Sequence, residues 1–240
     1  RIAGNLLDYI DFTAIAHTTT QSSGGKGGGG VTQTDTTYTY TVAAIIGLCE
    51  GSIAGIGRVW KGKDVYQLAQ LSAEMAPPNG FLERLVYLML QQAGQLPHYP
   101  VETFYGLPGQ QPWSYMLSAH PERALYYPRT AYVASAAFDL GSSAEMPNFN
   151  FEVVGRNIQP GALDANPKDI ITAILSDLQI GVGFPSQYIA DLSMFSNYCL
   201  ANGVLFSPAY TSQDEAQALI TNLCQAANSE PVWSQGQLKI

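Results

Sequence analysis

Residues 47–51 read Gly-Leu-Cys-Glu-Gly, and two glycines spaced about Cys49 have the form of a nucleophile elbow, the sharp strand-to-helix turn that exposes a thiol or hydroxyl for acyl transfer. That chemistry needs a helix to follow at once, because its N-terminal amides support the oxyanion hole. Here Ser52, Ile53, Ala54, Gly55, Ile56 and Gly57 follow, a poor helix with two internal glycines. Cys49 is therefore expected to be structural, and Gly51 beside Glu50 to serve a turn that uses positive φ. Gly25, Lys26 and the four glycines after them satisfy G-x-G-x-x-G, as any polyglycine run does. They do not make a P-loop, since Lys26 is followed by Gly27 and no hydroxyl stands ready for magnesium.

His17, His98 and His120 lie in separate segments with no i, i+4 partner and no Cys pair, so a metal site is not expected. Cys199 and Cys224 fall at apolar helical positions and read as reduced, buried small hydrophobes. Asp8 and Asp11 read as neighbours on a solvated face rather than as an acid–base pair. Tyr126, Tyr127 and Tyr132 cluster near Arg123 and Arg129, a composition that fits either an interface or buried sheet packing. No catalytic, cofactor-binding or metal-ligating residue is predicted.

The elements that must carry these residues follow from periodicity. Residues 36–42 alternate Thr and Tyr and residues 12–20 are also β-prone, which predicts a long hairpin. Its tip is the Gly-rich loop 22–30, a flexible segment with nothing to bury. Strands are predicted at 57–60 and 64–67 about a turn at 61–63, and again at 103–105, 131–140 and 148–154. A helical insertion is expected within 68–100, centred on 82–92, where Leu82, Leu85, Val86, Met89 and Leu90 share a face. After a Pro- and Gly-containing linker at 155–166, Asn166 and Pro167 start a helix with Ile170, Ile171, Ile174, Leu175 and Leu178 on one face. Another helix is expected at 192–200, closed by Gly203. Ser212 and Glu215 have the spacing of a capping box ahead of Leu219, Ile220, Leu223 and Cys224. The chain ends on a hairpin signal about Gln235 and Gly236.

These elements predict an α+β fold: a β-rich, barrel-like domain at 1–157, then a smaller α+β domain at 158–240. A start at Arg1 and an end inside a strand pattern lead to the expectation of a fragment, truncated at its C-terminus. Apolar residues make up 46% of the chain, enough for a globular core, but charged residues only 12%, about half the ordinary share. So sparse a charge suggests that partner subunits cover part of the surface. With 11 scattered basic residues and a net charge of −8, the chain lacks the basic stripe that neutralises phosphates. No sequence-specific nucleic-acid binding is expected, and no membrane insertion, since apolar runs such as 132–140 are too short.

Four ordered blocks carry a family resemblance. Tyr38 to Val42, Leu48 to Gly51 and Ile53 to Trp60 form the first; Thr103 to Gly106 with Gln110 the second. Ala131 to Val133, Asp139 to Gly141 and Pro147 to Val153 form the third; Asn166, Pro167, Gly181 to Pro185, Tyr198 and Cys199 the fourth. Together they resemble the tail-tip hub proteins of tailed phages, related to host-specificity (tip attachment) protein J and to gene-transfer-agent tail proteins. The resemblance spans roughly 15–67 and 101–240; residues 68–100 have no counterpart in it. It implies a non-enzymatic virion structural protein of the tail hub or baseplate, from a phage, a prophage or a gene transfer agent. It further implies a homotrimer that closes the tail tube, contacts the distal tail protein and other tail-tip proteins, and surrounds the path of the tape-measure protein and DNA. Such a protein is assembled in the bacterial host cytoplasm and resides at the virion tail tip. Two other readings stand beside it: a receptor- or glycan-binding tail-tip module, and a non-catalytic part of a tail-associated cell-wall hydrolase.

Overall fold

A computed structural model describes residues 1–23, 31–68, 73–74, 89, 98–99, 101–155 and 164–240. Chain contacts divide it into two compact units: Arg1–Cys49 with Ile56–Glu152, and Glu50–Gly55 with Val153–Ile240. The α+β class expected from periodicity is the class observed.

The first unit holds most of two four-stranded sheets. One sheet has the order β2 (Asn5–Ser23), β3 (Val31–Glu50), β9 (Thr130–Gly141), β8 (Glu102–Tyr105). The other has the order β1 (Ile2–Ala3), β10 (Phe149–Gly155), β4 (Ile53–Lys61), β5 (Asp64–Gln67). A two-stranded ladder, β6 (Ala73–Glu74) with β7 (His98–Tyr99), pairs antiparallel near the ends of the 68–100 segment. The helix expected over 82–92 lies, Met89 apart, outside the described residues, as do the 157/158 boundary and residues 24–30 of the loop expected at 22–30, whose Ser22 and Ser23 instead extend β2.

The second half of β3 explains how the middle of the first sheet is covered on both faces. Residues 42–48 form an unbroken apolar run, the pattern of a strand covered on both sides, and all are buried in the structure. Ala43 and Ile45 point with Tyr132 and Ala134 towards Trp113 and Met116, which flank and form a short helix, α1 (Ser114–Ala119). On the opposite side Phe138 of β9 meets Phe149 of β10, ring centroids 5.6 Å apart, so the second sheet covers the first. Gly4 lies in this seam: a Cβ there would stand 2.6 Å from Ile46 Cγ2 and 2.7 Å from Phe151 Cε2.

The barrel-like arrangement expected for this part is not what forms. Both sheets stay open, their orders ending on β2 and β8 and on β1 and β5. The physical reason is strand length. β3 runs for 20 residues, while β1, β5 and β8 have two to four and cannot form the full ladder that closure requires.

The second unit packs three helices, α2 (Pro167–Ser176), α3 (Ser193–Ala201) and α4 (Ala216–Ala226), with the hairpin β11 (Val232–Ser234) and β12 (Gln237–Lys239). Its core joins Ile170, Ile171 and Leu175 to Phe195, Cys199, Ile220, Leu223 and Cys224. Asn166 caps α2 as expected, its side chain accepting from the Lys168 N–H at 2.9 Å. The same amide donates to the Ser196 carbonyl at 3.0 Å, which ties α2 to α3. Leu178 does not join the core face: α2 ends at Ser176, and Leu178 is 89% exposed in the turn beyond. The capping box also fails to form. Ser212 bonds Asp214 instead, and Glu215 is the last residue before α4, with no side-chain cap. The closing turn has Gln235 and Gly236 both at positive φ, as a two-residue hairpin turn requires.

Candidate functional site

The hairpin of β2 and β3 changes character along its length. From Asn5 to Ile10 β2 pairs with the buried part of β3, and two β-bulges interrupt the register there, between Leu6 and Asp8 and between Ile10 and Thr13. From the pair Thr13↔Thr41 to Ser23↔Val31 the register runs unbroken for eleven pairs. Over this arm, residues 16–21 and 32–38 are exposed, so neither face of the ribbon has a packing partner. Among the described residues its side chains meet one another, His17 Nε2 lying 2.7 Å from Thr39 Oγ1, and at its base Phe12 stacks on Tyr40 at 5.4 Å. Stiff β-branched Thr side chains favour the extended form. An isolated two-stranded ribbon is nevertheless marginal in water, and three strands or a covering layer are the usual requirement.

A polar cluster sits where the arm leaves the body. Asp11, at the second bulge, has φ +53, a left-handed backbone that Asp tolerates better than most residues. Its Oδ2 accepts from the Tyr115 hydroxyl at 2.5 Å and lies 2.7 Å from His120 Nε2. Arg123 reaches the Asp8 carboxylate and donates to the Tyr9 carbonyl at 3.4 Å. Partial burial works to raise the Asp11 carboxyl. Hydrogen bonds from Tyr115 and His120, with the charges of His120 and Arg123, outweigh it and hold the group below its usual value. Asp11 is exposed and Asp8 half-buried, in keeping with a solvated face, and each is also bound to the segment containing α1 and the 3-10 turn Pro121–Arg123.

The remaining sequence candidates fall elsewhere. Cys49 lies within β3 and leads through Gly51, φ +80, into β4, so the turn joins strand to strand and lacks the helix an elbow uses. Burial pushes its thiol upward, away from the thiolate a nucleophile needs. Cys199 and Cys224 are fully buried, and burial raises both thiols. Of the three histidines, His120 joins the cluster, His17 lies on the arm, and His98 is in β7. Among the described residues no group of three His, Cys, Asp or Glu could hold a metal ion.

The buried-packing reading of the Tyr–Arg group holds for Tyr132. Tyr132 is fully buried, stacked on Phe104 at 4.2 Å with the Tyr127 ring edge-on at 5.6 Å, while Tyr126 is 59% exposed. Gln110 of the second sequence block clamps this region. It accepts from the Gly106 N–H at 2.9 Å and donates to the carbonyls of Tyr127 and Thr130 at 3.2 and 3.0 Å. Sequence reasoning missed Tyr115 and the joining of His120 to Asp11, since the partners stand 104 and 109 residues apart.

No family model matches the chain, and no curated protein matches it. Among solved structures, it is similar to a chain of the "Virion of native gene transfer agent (GTA) particle", with a TM-score of 0.30 and 18% identity. That similarity covers 85% of this chain and 40% of the other, so the chain spans less than half the length of its neighbour.

Proposed function

We propose that this chain is part of a structural hub at the tail tip of a phage or phage-like particle, where three copies form a ring that closes the tail tube. The observation that carries the reading is the arm: eleven strand pairs whose middle is exposed on both faces. Two strands with no covering layer lack the burial that stabilises a sheet, and a neighbouring subunit supplies it. The four sequence blocks support the same reading from a separate direction. In the ring, the distal tail protein, other tail-tip proteins and the tape-measure protein are the partners. A net charge of −8 suits a lumen through which DNA passes without sticking.

The test is assembly of the complete protein. Light scattering and electron microscopy should show a three-fold ring, alone or once the distal tail protein is added. Replacing residues 16–38 by a short turn should leave the helical unit folded and abolish the ring. A complete protein that stays monomeric at high concentration, with the distal tail protein present, would sink the reading.

A further inference from the structure

The arm joins its body at one place. Val42 marks the start of the buried apolar run of β3, next to buried Thr41, and on β2 the matching position is the bulge at Asp11 and Phe12, which opens between the pairs Ile10↔Ala43 and Thr13↔Thr41. A ribbon attached through two strands bends most easily where its ladder is interrupted, and a bulge increases both bend and twist. Bend at this place sets where the arm points.

The bulge is held by side chains from a distant part of the chain. Tyr115 and His120 both meet Asp11 Oδ2, at 2.5 and 2.7 Å, and Arg123 grips Asp8 and the Tyr9 carbonyl on the body side of the bulge. The strap that supplies them, residues 114–123, is anchored in the core through Trp113 and Met116, 1% and 2% exposed. Trp113 Nε1 also donates to Glu102 on β8 at 2.8 Å, so the strap is fixed to the edge of the sheet opposite β2. Asp11 thereby connects a left-handed backbone position in the bulge to a rigid anchor.

From this juxtaposition we infer that residues 114–123 form a latch: Tyr115 and His120 act through Asp11 to fix the angle at which the hairpin arm leaves the body, and unfastening them frees the arm to swing about the bulge. Asp11, Tyr115 and His120 are positioning residues for the arm. The inference concerns the single chain and stands whether or not the chain assembles into a ring.

Distance measurement between nitroxide labels tests it on the full chain, with Thr19→Cys on the arm and Glu145→Cys on the body in a Cys49→Ser background. The latched chain should give one narrow distance distribution. Asp11→Ala should broaden it at least two-fold, and so should Tyr115→Phe combined with His120→Ala, which leaves the sequence of β2 untouched. Asp11→Asn keeps an acceptor oxygen and tolerance of positive φ, and should lie nearer the parent than Asp11→Ala does. A parent distribution already broad, both unlatched variants as narrow as the parent, or Asp11→Asn no narrower than Asp11→Ala would each overturn the latch. Ring assembly is read separately, so failure of one result leaves the other standing.

Discussion

Glu152 accepts three hydrogen bonds from the single residue Arg58: the backbone N–H and Nε on Oε2 at 3.0 and 2.9 Å, and a terminal guanidinium nitrogen on Oε1 at 2.8 Å. Gly57 makes the arrangement possible, since a Cβ there would stand 2.6 Å from Glu152 Oε2. The Gly57–Arg58 step of the first sequence block therefore has a local physical purpose: a residue without a side chain beside one that grips a carboxylate on the neighbouring strand. Arg58 also lies 5.4 Å from the Trp60 ring centroid, which orients the guanidinium further.

This pair sets a pH dependence. The Arg58 side-chain and backbone hydrogen bonds hold the Glu152 carboxyl down to about 2. The unfolded value is about 4.3. A carboxylate depressed by folding stabilises the fold above the unfolded pKa, and that contribution fades as pH falls from about 4.3 towards about 2. Carboxyl titration by NMR should place the Glu152 midpoint near 2 in the parent chain and near the ordinary range in Arg58→Gln. Gly57→Ala should raise it as well, by pushing the carboxylate aside. A parent midpoint within the ordinary glutamate range would show that the pair does not persist in solution.

Two glycines of the second unit separate steric need from backbone need. A Cβ on Gly181 would stand 2.5 Å from the carbonyl oxygens of Ala173 and Ile174 and 2.7 Å from that of Asp177. Those are backbone atoms and cannot rotate away. Gly203 has open space around it but a φ of +65. Gly181→Ala should destabilise by about 2–3 kcal/mol through overpacking, and Gly203→Ala by about 1 kcal/mol through its left-handed backbone. Urea melts that ranked Gly203→Ala as the costlier change would contradict the geometry at the end of α2.

β-prone composition made β4 from Gly57 onward, β5, β8 and β9 legible in the sequence, alternation made β10 legible, and the Gln235–Gly236 turn signal made the terminal hairpin legible. The helix α1 was not legible. Six residues are too few for a periodic signal, and its place depends on Trp113 reaching Glu102 and on Met116 packing under the sheet. The Ser212 and Glu215 spacing misled because Asp214 competes for the Ser212 hydroxyl and the helix begins one residue after Glu215. The cluster at Asp11 had no local signature, since its members meet only after the sheet has formed. Asn166 was legible as a cap but not as a tie to Ser196.

That second role of Asn166 gives the next prediction. The residue is fully buried, with its oxygen on the Lys168 N–H and its nitrogen on the Ser196 carbonyl. Asn166→Ala should cost about 2 kcal/mol, a lost cap plus an unpaired carbonyl. Asn166→Asp keeps the cap acceptor but sets a carboxylate against a carbonyl in a buried place, which raises the carboxyl pKa. A pKa raised by folding means stability present below the unfolded value and lost as pH rises from there through the folded one. Thermal melts of Asn166→Asp should show a Tm that falls between pH 4 and pH 7 relative to the parent. A variant as stable as the parent at pH 7, as an ordinary exposed cap would allow, would remove the tie to α3.

Tyr132 carries the last prediction. Its buried ring stacks on Phe104 and meets Tyr127 edge-on, yet its hydroxyl has no hydrogen-bond partner among the described residues. Burial, with smaller contributions from Tyr127 and Glu102, raises the phenol well above its usual value. An unpaired buried hydroxyl costs about 1–3 kcal/mol of desolvation. Tyr132→Phe removes that cost, keeps the 4.2 Å stack on Phe104, and leaves a gap of one oxygen atom. The variant should therefore be as stable as the parent or gain about 1 kcal/mol. Tyr132→Ala should lose about 3–5 kcal/mol, because the ring fills the space under the sheet. Urea unfolding of the three proteins decides the matter: a loss of about 1 kcal/mol or more in Tyr132→Phe would mean that the hydroxyl holds a bond in solution.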